Sequence, residues 1–361
     1  MDEKVLVTGC NGFVALHVLD ILLSERFHVI GTARTPEKAN QVKESFKKLY
    51  PYANLEVEIV ADITKRDAFD KIFQQYPDIQ HVIHMAANVT FGNGGDRKET
   101  YLIPATEGTK NILEATYNLG KNVKKFVMTS SLASIMDRKH FGDPSFVHTE
   151  STWNPVTWEE AKNDDGSAYC ASKKISERLA WDFVKEHEND IKFSLTTVCP
   201  PMIMGPQMFE WGLANETLNT SAEKVNSALK TTPDFKGPFD SSNGLSCDVR
   251  DVALLHMLPL RNQALAGQRL FPLNGTGVKQ HNYEDARYTL QRILEILNRQ
   301  FPEVRGRISG GADKSTLKTP DDLLYYNNDL TTKLTGVEFK PFEVTVHDAA
   351  KQILSYRAAH K

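Results

Sequence analysis

Tyr169 and Lys173 stand four residues apart in the stretch Tyr169-Cys170-Ala171-Ser172-Lys173. On a helix that spacing places both side chains on one face, where an ammonium can stabilise a phenolate. A free phenol titrates near ~10, and a neighbouring positive charge with hydrogen bonds to the phenolate draws it toward neutrality. A phenol so acidified can exchange a proton with a carbonyl oxygen, so the pair points to carbonyl chemistry. Spacing alone does not carry that reading, because Tyr117 and Lys121 repeat it. In that second copy the intervening Gly120 marks the end of a helix rather than its middle. What separates the two pairs is the surrounding chain.

Short β-branched runs at 5–7, 28–33, 55–60, 81–84, 125–129 and 194–198 alternate with apolar residues at helical spacing over 13–23, 67–75, 107–119 and 168–185. This rhythm predicts an α/β protein with a Rossmann-type, doubly wound parallel sheet, whose ligands sit beyond the carboxyl ends of the strands. After Val198 the rhythm breaks at Cys199-Pro200-Pro201 and Gly205-Pro206, and 231–243 is rich in turn formers. A smaller C-terminal substrate-binding lobe is therefore expected. Residues 1–200 would form the dinucleotide-binding domain, with a returning segment near 244–275. Residues 201–361 would be mainly the substrate lobe, with helical runs at 283–300 and 344–359.

The first strand ends in Thr8-Gly9-Cys10-Asn11-Gly12-Phe13-Val14-Ala15, a glycine-rich turn opening onto a helix. Small residues at 9, 12 and 15 serve a tight turn, close approach of backbone to a pyrophosphate, and close packing of helix on strand. Backbone N–H groups at the helix start favour the anion, so Gly9, Asn11, Gly12, Phe13 and Val14 are assigned to a cofactor site. The second strand ends in Ala33-Arg34-Thr35-Pro36-Glu37-Lys38, without the acidic residue usual for NAD. Arg34 and Lys38 would meet a 2′-phosphate, which indicates NADPH/NADP. The alternative is two solvated cations at a helix start. Asp62 could accept from an adenine amino group or simply cap a helix. Ala86, in the turn after the fourth strand, completes the cofactor set.

The fifth strand delivers Met128-Thr129-Ser130-Ser131 to the carboxyl edge of the sheet, just before the helix bearing Tyr169 and Lys173. A serine there can donate to a substrate oxygen. With two adjacent serines, one can brace the turn while the other points at substrate.

The chain resembles the extended short-chain dehydrogenases/reductases, and within them the fungal NADPH-dependent aldehyde/ketone reductases of the methylglyoxal and 3-methylbutanal reductase type. The likeness runs over nearly the whole chain. It includes Gly9-x-x-Gly12-Phe13-x-Ala15, Thr129-Ser130-Ser131, Trp153-Asn154-Pro155, Ala168-Tyr169-Cys170-x-Ser172-Lys173, Gly205-Pro206-Gln207-Met208-Phe209 and Asp248-Val249-Arg250-Asp251. The resemblance assigns the catalytic serine to Ser131 and implies cofactor contacts from Ile63, Pro200, Ile203 and Ser221. It also implies that Lys173 holds the nicotinamide ribose and that Tyr169 is the general acid of carbonyl reduction. The chain departs from the pattern at Ala86-Ala87-Asn88-Val89, where relatives often carry Ser-Pro. Pro104 lies where sugar-nucleotide epimerases of the wider family commonly have asparagine, which favours the reductase branch.

Candidates for the substrate wall are Val89, Phe91, Leu132, Met202 and Trp211, with 92–95 as a glycine-rich flap. The chain has 361 residues, a formal charge of −3 and no block of lysine and arginine. These features argue against nucleic acid or acidic membrane partners and for a small-molecule carbonyl substrate. Four scattered cysteines suggest neither a metal site nor disulfides, and the N-terminus lacks the pattern of a signal peptide. A cytoplasmic monomer or homodimer is expected. Two other readings stand beside the reductase: a sugar-nucleotide epimerase or dehydratase, and a non-catalytic NADPH-sensing protein on the same fold.

Overall fold

The computed structural model describes residues 3–87, 95–220, 222–239, 244–275, 286–313 and 324–360. The first half alternates β1 (Lys4–Thr8), α1 (Phe13–Ser24), β2 (His28–Ala33), α2 (Pro36–Leu49), β3 (Leu55–Ile59), α3 (Asp70–Gln75), β4 (His81–His84), α4 (Ile103–Leu119), β5 (Lys125–Thr129), α5 (Trp158–Ala161), α6 (Asp165–Glu186) and β6 (Ser194–Val198). Then follow β7 (Met202–Met204), α7 (Glu223–Ala228), β8 (Ser246–Asp248), α8 (Val249–Arg261), β9 (Arg269–Leu270), α9 (Leu290–Gln300), α10 (Asp329–Thr335) and α11 (Phe342–Ala359).

Seven strands form one parallel sheet in the order β3-β2-β1-β4-β5-β6-β9. The order reverses between β1 and β4, the place in such sheets where ligands bind beyond the carboxyl ends of the strands. The register of β1 and β4 aligns Thr8 with His84. Strands covered on both faces read as apolar runs: Val5, Leu6 and Val7 of β1 are fully buried, as are Phe126 and Val127 of β5.

Internal contacts divide the chain into two compact units. The first comprises Met1–Asp137, Ser151–Cys199 and Ala253–Phe271 and holds the seven-stranded sheet; the second comprises Arg138–Glu150, Pro200–Val252 and Pro272–Lys361. One core of the first unit packs Leu6, Ile30, Phe69, Phe73, Ile112 and Phe126 together. The second unit has its own core of Met204, Val225, Leu294, Leu297, Phe342 and Val346, beside the two-stranded sheet β7-β8. Among the described residues no helix is long and apolar enough to cross a membrane.

The strands fall within a residue of their expected bounds, but several helices begin elsewhere. α4 starts at Ile103 rather than 107, and a widened π-type turn precedes it, with the Ile103 N–H bonded back to the Lys98 carbonyl. Pro104 has no N–H to give, which suits the first turn of the regular helix that follows. α6 begins three residues early because Asp164 caps it, its carboxylate accepting from the Ser167 N–H at 2.8 Å. α3 begins late, because 67–69 is spent on turns. The expected run over 283–300 narrows to α9, which Thr289 caps by accepting from the Arg292 N–H at 3.1 Å; the first three residues of the expected run lie outside the described ones. α2 had no counterpart in the sequence reading, since only Ala39, Val42 and Phe46 are buried on an otherwise charged helix. The repeated pair at Tyr117 sits on the last turn of α4, and Gly120 ends the helix before Lys121.

β4 is bounded by two buried histidines that the fold keeps neutral. Burial lowers the pKa of His81 to about 4 and of His84 to about 3. Below pH 6.5 the unfolded chain therefore takes up protons that the folded protein refuses, so stability present above that pH is lost on acidification. Carboxylates with depressed pKa values contribute only below about 4.5. Asp251, raised by burial to about 6, takes up its proton in the same window and offsets about 1 kcal/mol of the loss. Unfolding free energies from urea titrations should therefore fall between pH 6.5 and pH 5 by about 1–2 kcal/mol per histidine less that offset, and His84→Gln should flatten the slope. An unfolding free energy constant over that interval would contradict it.

Candidate active site

Gly9 has φ +69°, and a Cβ there would lie 2.9 Å from the Cα of Ala86. Only glycine lets the turn after β1 lie this close to the turn after β4. Gly12 caps α1 without a side-chain hydrogen bond and no acidic residue occupies the first turn, which leaves helix-start N–H groups for a ligand. Thr8 ties the two turns together. Its hydroxyl accepts from the N–H groups of Met85 (3.0 Å) and Ala86 (3.1 Å) and lies 2.8 Å from Nδ1 of His84. With both lone pairs engaged, the hydroxyl proton goes to Nδ1, which fixes His84 as the neutral Nε2–H tautomer.

A groove of about 410 Å³ opens at these turns. It brings together Gly9, Asn11, Gly12, Arg34, Lys38, Ile63 and Ala86 of the residues proposed from sequence, with Thr32, Thr35, Val60 and Met85 that were not. Thr32 braces the turn, its hydroxyl accepting from the Gly9 N–H at 3.1 Å. Arg34 and Lys38 are exposed at its rim. Phe13 and Val14 begin α1, half-buried. Asp62 does not line the groove. Its carboxylate accepts from the N–H (2.9 Å) and hydroxyl (2.7 Å) of Thr64, and these bonds hold it below its ordinary pKa. The turn at Gly9 and Gly12, the start of α1 without a side-chain cap, and two rim cations fit a dinucleotide that carries an extra phosphate.

At the carboxyl end of β5 the two serines take different partners. Ser130 donates to Glu177 at 2.5 Å and meets Ser134 at 2.9 Å. Ser131 accepts from the Ala133 N–H at 3.1 Å and is hydrogen-bonded to Tyr169. Ser131 thus also caps the short 3₁₀ turn after it. One helical turn beyond Tyr169, the buried Lys173 donates from Nζ to the Thr129 carbonyl at 3.1 Å.

The electrostatics differ from the expectation that Lys173 acidifies the phenol. Burial, the larger effect, raises the pKa of Tyr169 above its ordinary value, and the Ser131 hydrogen bond only partly opposes it. Burial also lowers Lys173, against the pull of Glu177. The protein alone therefore keeps the proton on Tyr169.

Glu177 and Arg269 were not found from sequence. Glu177 lies four residues past Lys173, fully buried, and Arg269 on β9 grips it through Nε at 2.7 Å and Nη2 at 3.2 Å. Burial opposes ionisation of Glu177, yet Arg269 with the hydroxyls of Ser130 and Thr197 outweighs it and keeps the carboxyl below the ordinary range. The spacing 169–173–177 was a legible signal; for Arg269 there was none.

Of the proposed substrate wall, Leu132 lies in the 3₁₀ turn after Ser131, nearly buried. Met202 and Ile203 are on β7, Pro200 precedes it, and Trp211 stacks on Phe209; these belong to the second unit. Val89, Phe91, Ser221 and most of the 92–95 flap lie outside the described residues.

Residues 5–264 match the model of the NAD dependent epimerase/dehydratase family. The chain is 38% identical over 360 residues to the NADPH-dependent methylglyoxal reductase GRE2 of Saccharomyces cerevisiae, spanning 98% of each protein. It is 32% identical to the ketoreductase azaE of Aspergillus niger, again over 98% of both. The crystal structure of yeast methylglyoxal/isovaleraldehyde reductase Gre2 complexed with NADPH superposes with a TM-score of 0.88 at 37% identity, covering 98% of this chain and 99% of that one.

Thr8→Val keeps the shape of the side chain but leaves two N–H groups and Nδ1 of His84 without a partner. Urea unfolding should show a loss of about 2–4 kcal/mol. A loss below about 0.5 kcal/mol would mean that the hydroxyl does not hold the two turns together.

Proposed function

The chain belongs to the NAD dependent epimerase/dehydratase family of extended short-chain dehydrogenases/reductases, and from that premise we propose that it is an NADPH-dependent reductase of small aldehydes, ketones or diketones. The observation that carries this reading is the hydrogen-bonded Ser131–Tyr169 pair with Lys173 one turn further on, at the carboxyl end of β5. NADPH, when bound, supplies a hydride to the carbonyl carbon.

This chain's residues would then manage the oxygen. Negative charge grows on the carbonyl oxygen as the hydride arrives, and the Tyr169 phenol, held protonated by its burial, delivers its proton there to complete the alcohol. Ser131 stabilises the same oxygen by hydrogen bonding, a contribution of a few kcal/mol when the donor is fixed in a dry site. Lys173 places its positive charge where phenolate forms once the proton has left, and it holds the nicotinamide ribose. Gly9, Gly12 and the start of α1 would take the pyrophosphate, and Arg34 with Lys38 the 2′-phosphate. The substrates named for the yeast relative, methylglyoxal and isovaleraldehyde, make short and branched aldehydes the first compounds to try.

Steady-state NADPH oxidation across methylglyoxal, branched aldehydes, diketones and aryl ketones tests the reading. Tyr169→Phe should remove nearly all turnover while NADPH binding stays near normal; turnover within about tenfold of wild type would sink the assignment. Arg34→Glu should lower the preference for NADPH over NADH by at least about tenfold, since it replaces a phosphate-binding fork by a repelling charge. An unchanged preference would remove the 2′-phosphate role from the end of β2.

A further inference from the structure

We propose that Glu177 is a positioning residue for carbonyl reduction: its buried carboxylate keeps Lys173 charged and fixes the strand end that carries Ser131. The inference rests on the reading of Tyr169 and Lys173 given above and adds the group behind them. Tyr169, Lys173 and Glu177 stand at i, i+4 and i+8 of α6, on one face of the helix. Glu177 is fully buried and receives hydrogen bonds from Arg269 of β9, Ser130 after β5, Thr197 of β6 (2.7 Å) and Trp181 of α6 (3.2 Å). One carboxylate thus joins the catalytic helix to three strand ends, and through Ser130 it holds the residue next to Ser131.

A cross-link of this kind does not need charge. Replacing a buried ion pair by apolar side chains of similar volume is often neutral or stabilising. What charge adds here is a counter-ion for Lys173, whose Nζ donates to a neutral carbonyl, that of Thr129. The other groups that face the lysine do not supply one. His84 on β4 is neutral, with a pKa of about 3, and the Cys199 thiol after β6 is pushed up to about 12 by burial. His256 on α8 bonds the Thr129 hydroxyl at 2.7 Å, and Tyr169 on the same helix face keeps its proton. Arg269 is itself a cation, also held against the ring of Trp153 at 3.8 Å and donating to the Thr152 carbonyl at 2.6 Å. Of these groups only Glu177 is negative at neutral pH. Without it, burial would drive Lys173 toward the uncharged amine, which can neither stabilise a phenolate nor offer a full set of donors to the ribose.

The test reads Lys173 directly. In protein labelled with ¹³C-lysine, the ε-carbon of Lys173, identified by its absence from a Lys173→Arg sample, reports the midpoint of its titration without cofactor or turnover. Glu177→Gln should lower that midpoint by at least about one pH unit. Lys173 acts protonated, so the alkaline limb of kcat/KM for carbonyl reduction should move down by the same amount. Glu177→Asp, which keeps the charge, should hold the midpoint. Because Glu177→Gln strands a buried guanidinium, the double variant Glu177→Gln/Arg269→Met is measured beside it, and the same fall is expected there. An unchanged midpoint in whichever of these two variants folds would overturn the inference. If the wild-type protein reduces no carbonyl, the functional reading falls instead, and the Lys173 midpoint still decides the role of Glu177.

Discussion

Lys173 is buried where loss of water pulls its pKa down, and the groups packed around it decide whether it can hold a charge there. Moving an isolated ammonium out of water is so unfavourable that such a group normally gives up its proton unless charge and hydrogen bonds compensate it. Here the compensation comes from the Thr129 carbonyl at the end of β5 and from the Glu177 carboxylate one turn along α6. That carboxylate is buried in turn, and Arg269 and the hydroxyls of Ser130 and Thr197 compensate it. The chain of interactions runs from Arg269 on β9 through Glu177 to the helix that carries Tyr169, so the geometry of the site is a property of the sheet and not of one loop.

The cofactor groove follows a different logic. Its floor is a glycine turn brought close to the turn after β4 at the point where the strand order reverses, and two exposed cations, Arg34 and Lys38, stand at its rim. Gly9 permits the approach of the turns after β1 and β4, and the Thr8 hydroxyl locks it by serving three partners at once. The glycine turn and the start of α1 form the part that would recognise any dinucleotide. Solvated side chains, which can change without disturbing the fold, form the part that would tell one dinucleotide from another.

The parallel strands were legible because burial on both faces demands β-branched, apolar runs bounded by turns, as in Val5, Leu6 and Val7. Helix starts were less so, since they depend on polar caps such as Asp164 and on the widened turn before Pro104, neither of which shows in apolar spacing. α2 escaped because three buried residues on a charged helix are a faint stripe. In the site, the spacing of Tyr169 and Lys173 announced their shared face, whereas adjacency could not say which serine meets the phenol. The sign of the Tyr169 shift was misread for a physical reason: the sequence displays the neighbouring ammonium but not the burial that outweighs it. Arg269 reaches Glu177 across 92 positions, a contact that only the folded sheet creates.

The central claim is that this protein moves a hydride from NADPH to a carbonyl carbon while Tyr169 supplies the proton. Reduction of methylglyoxal or isovaleraldehyde with NADPH deuterated at the transferring position of C4, followed by mass spectrometry of the alcohol, tests it most directly. The account requires one deuterium on the carbinol carbon and none on the hydroxyl after exchange into ordinary water. An alcohol formed without that deuterium, or no alcohol formed from any carbonyl offered, would contradict it.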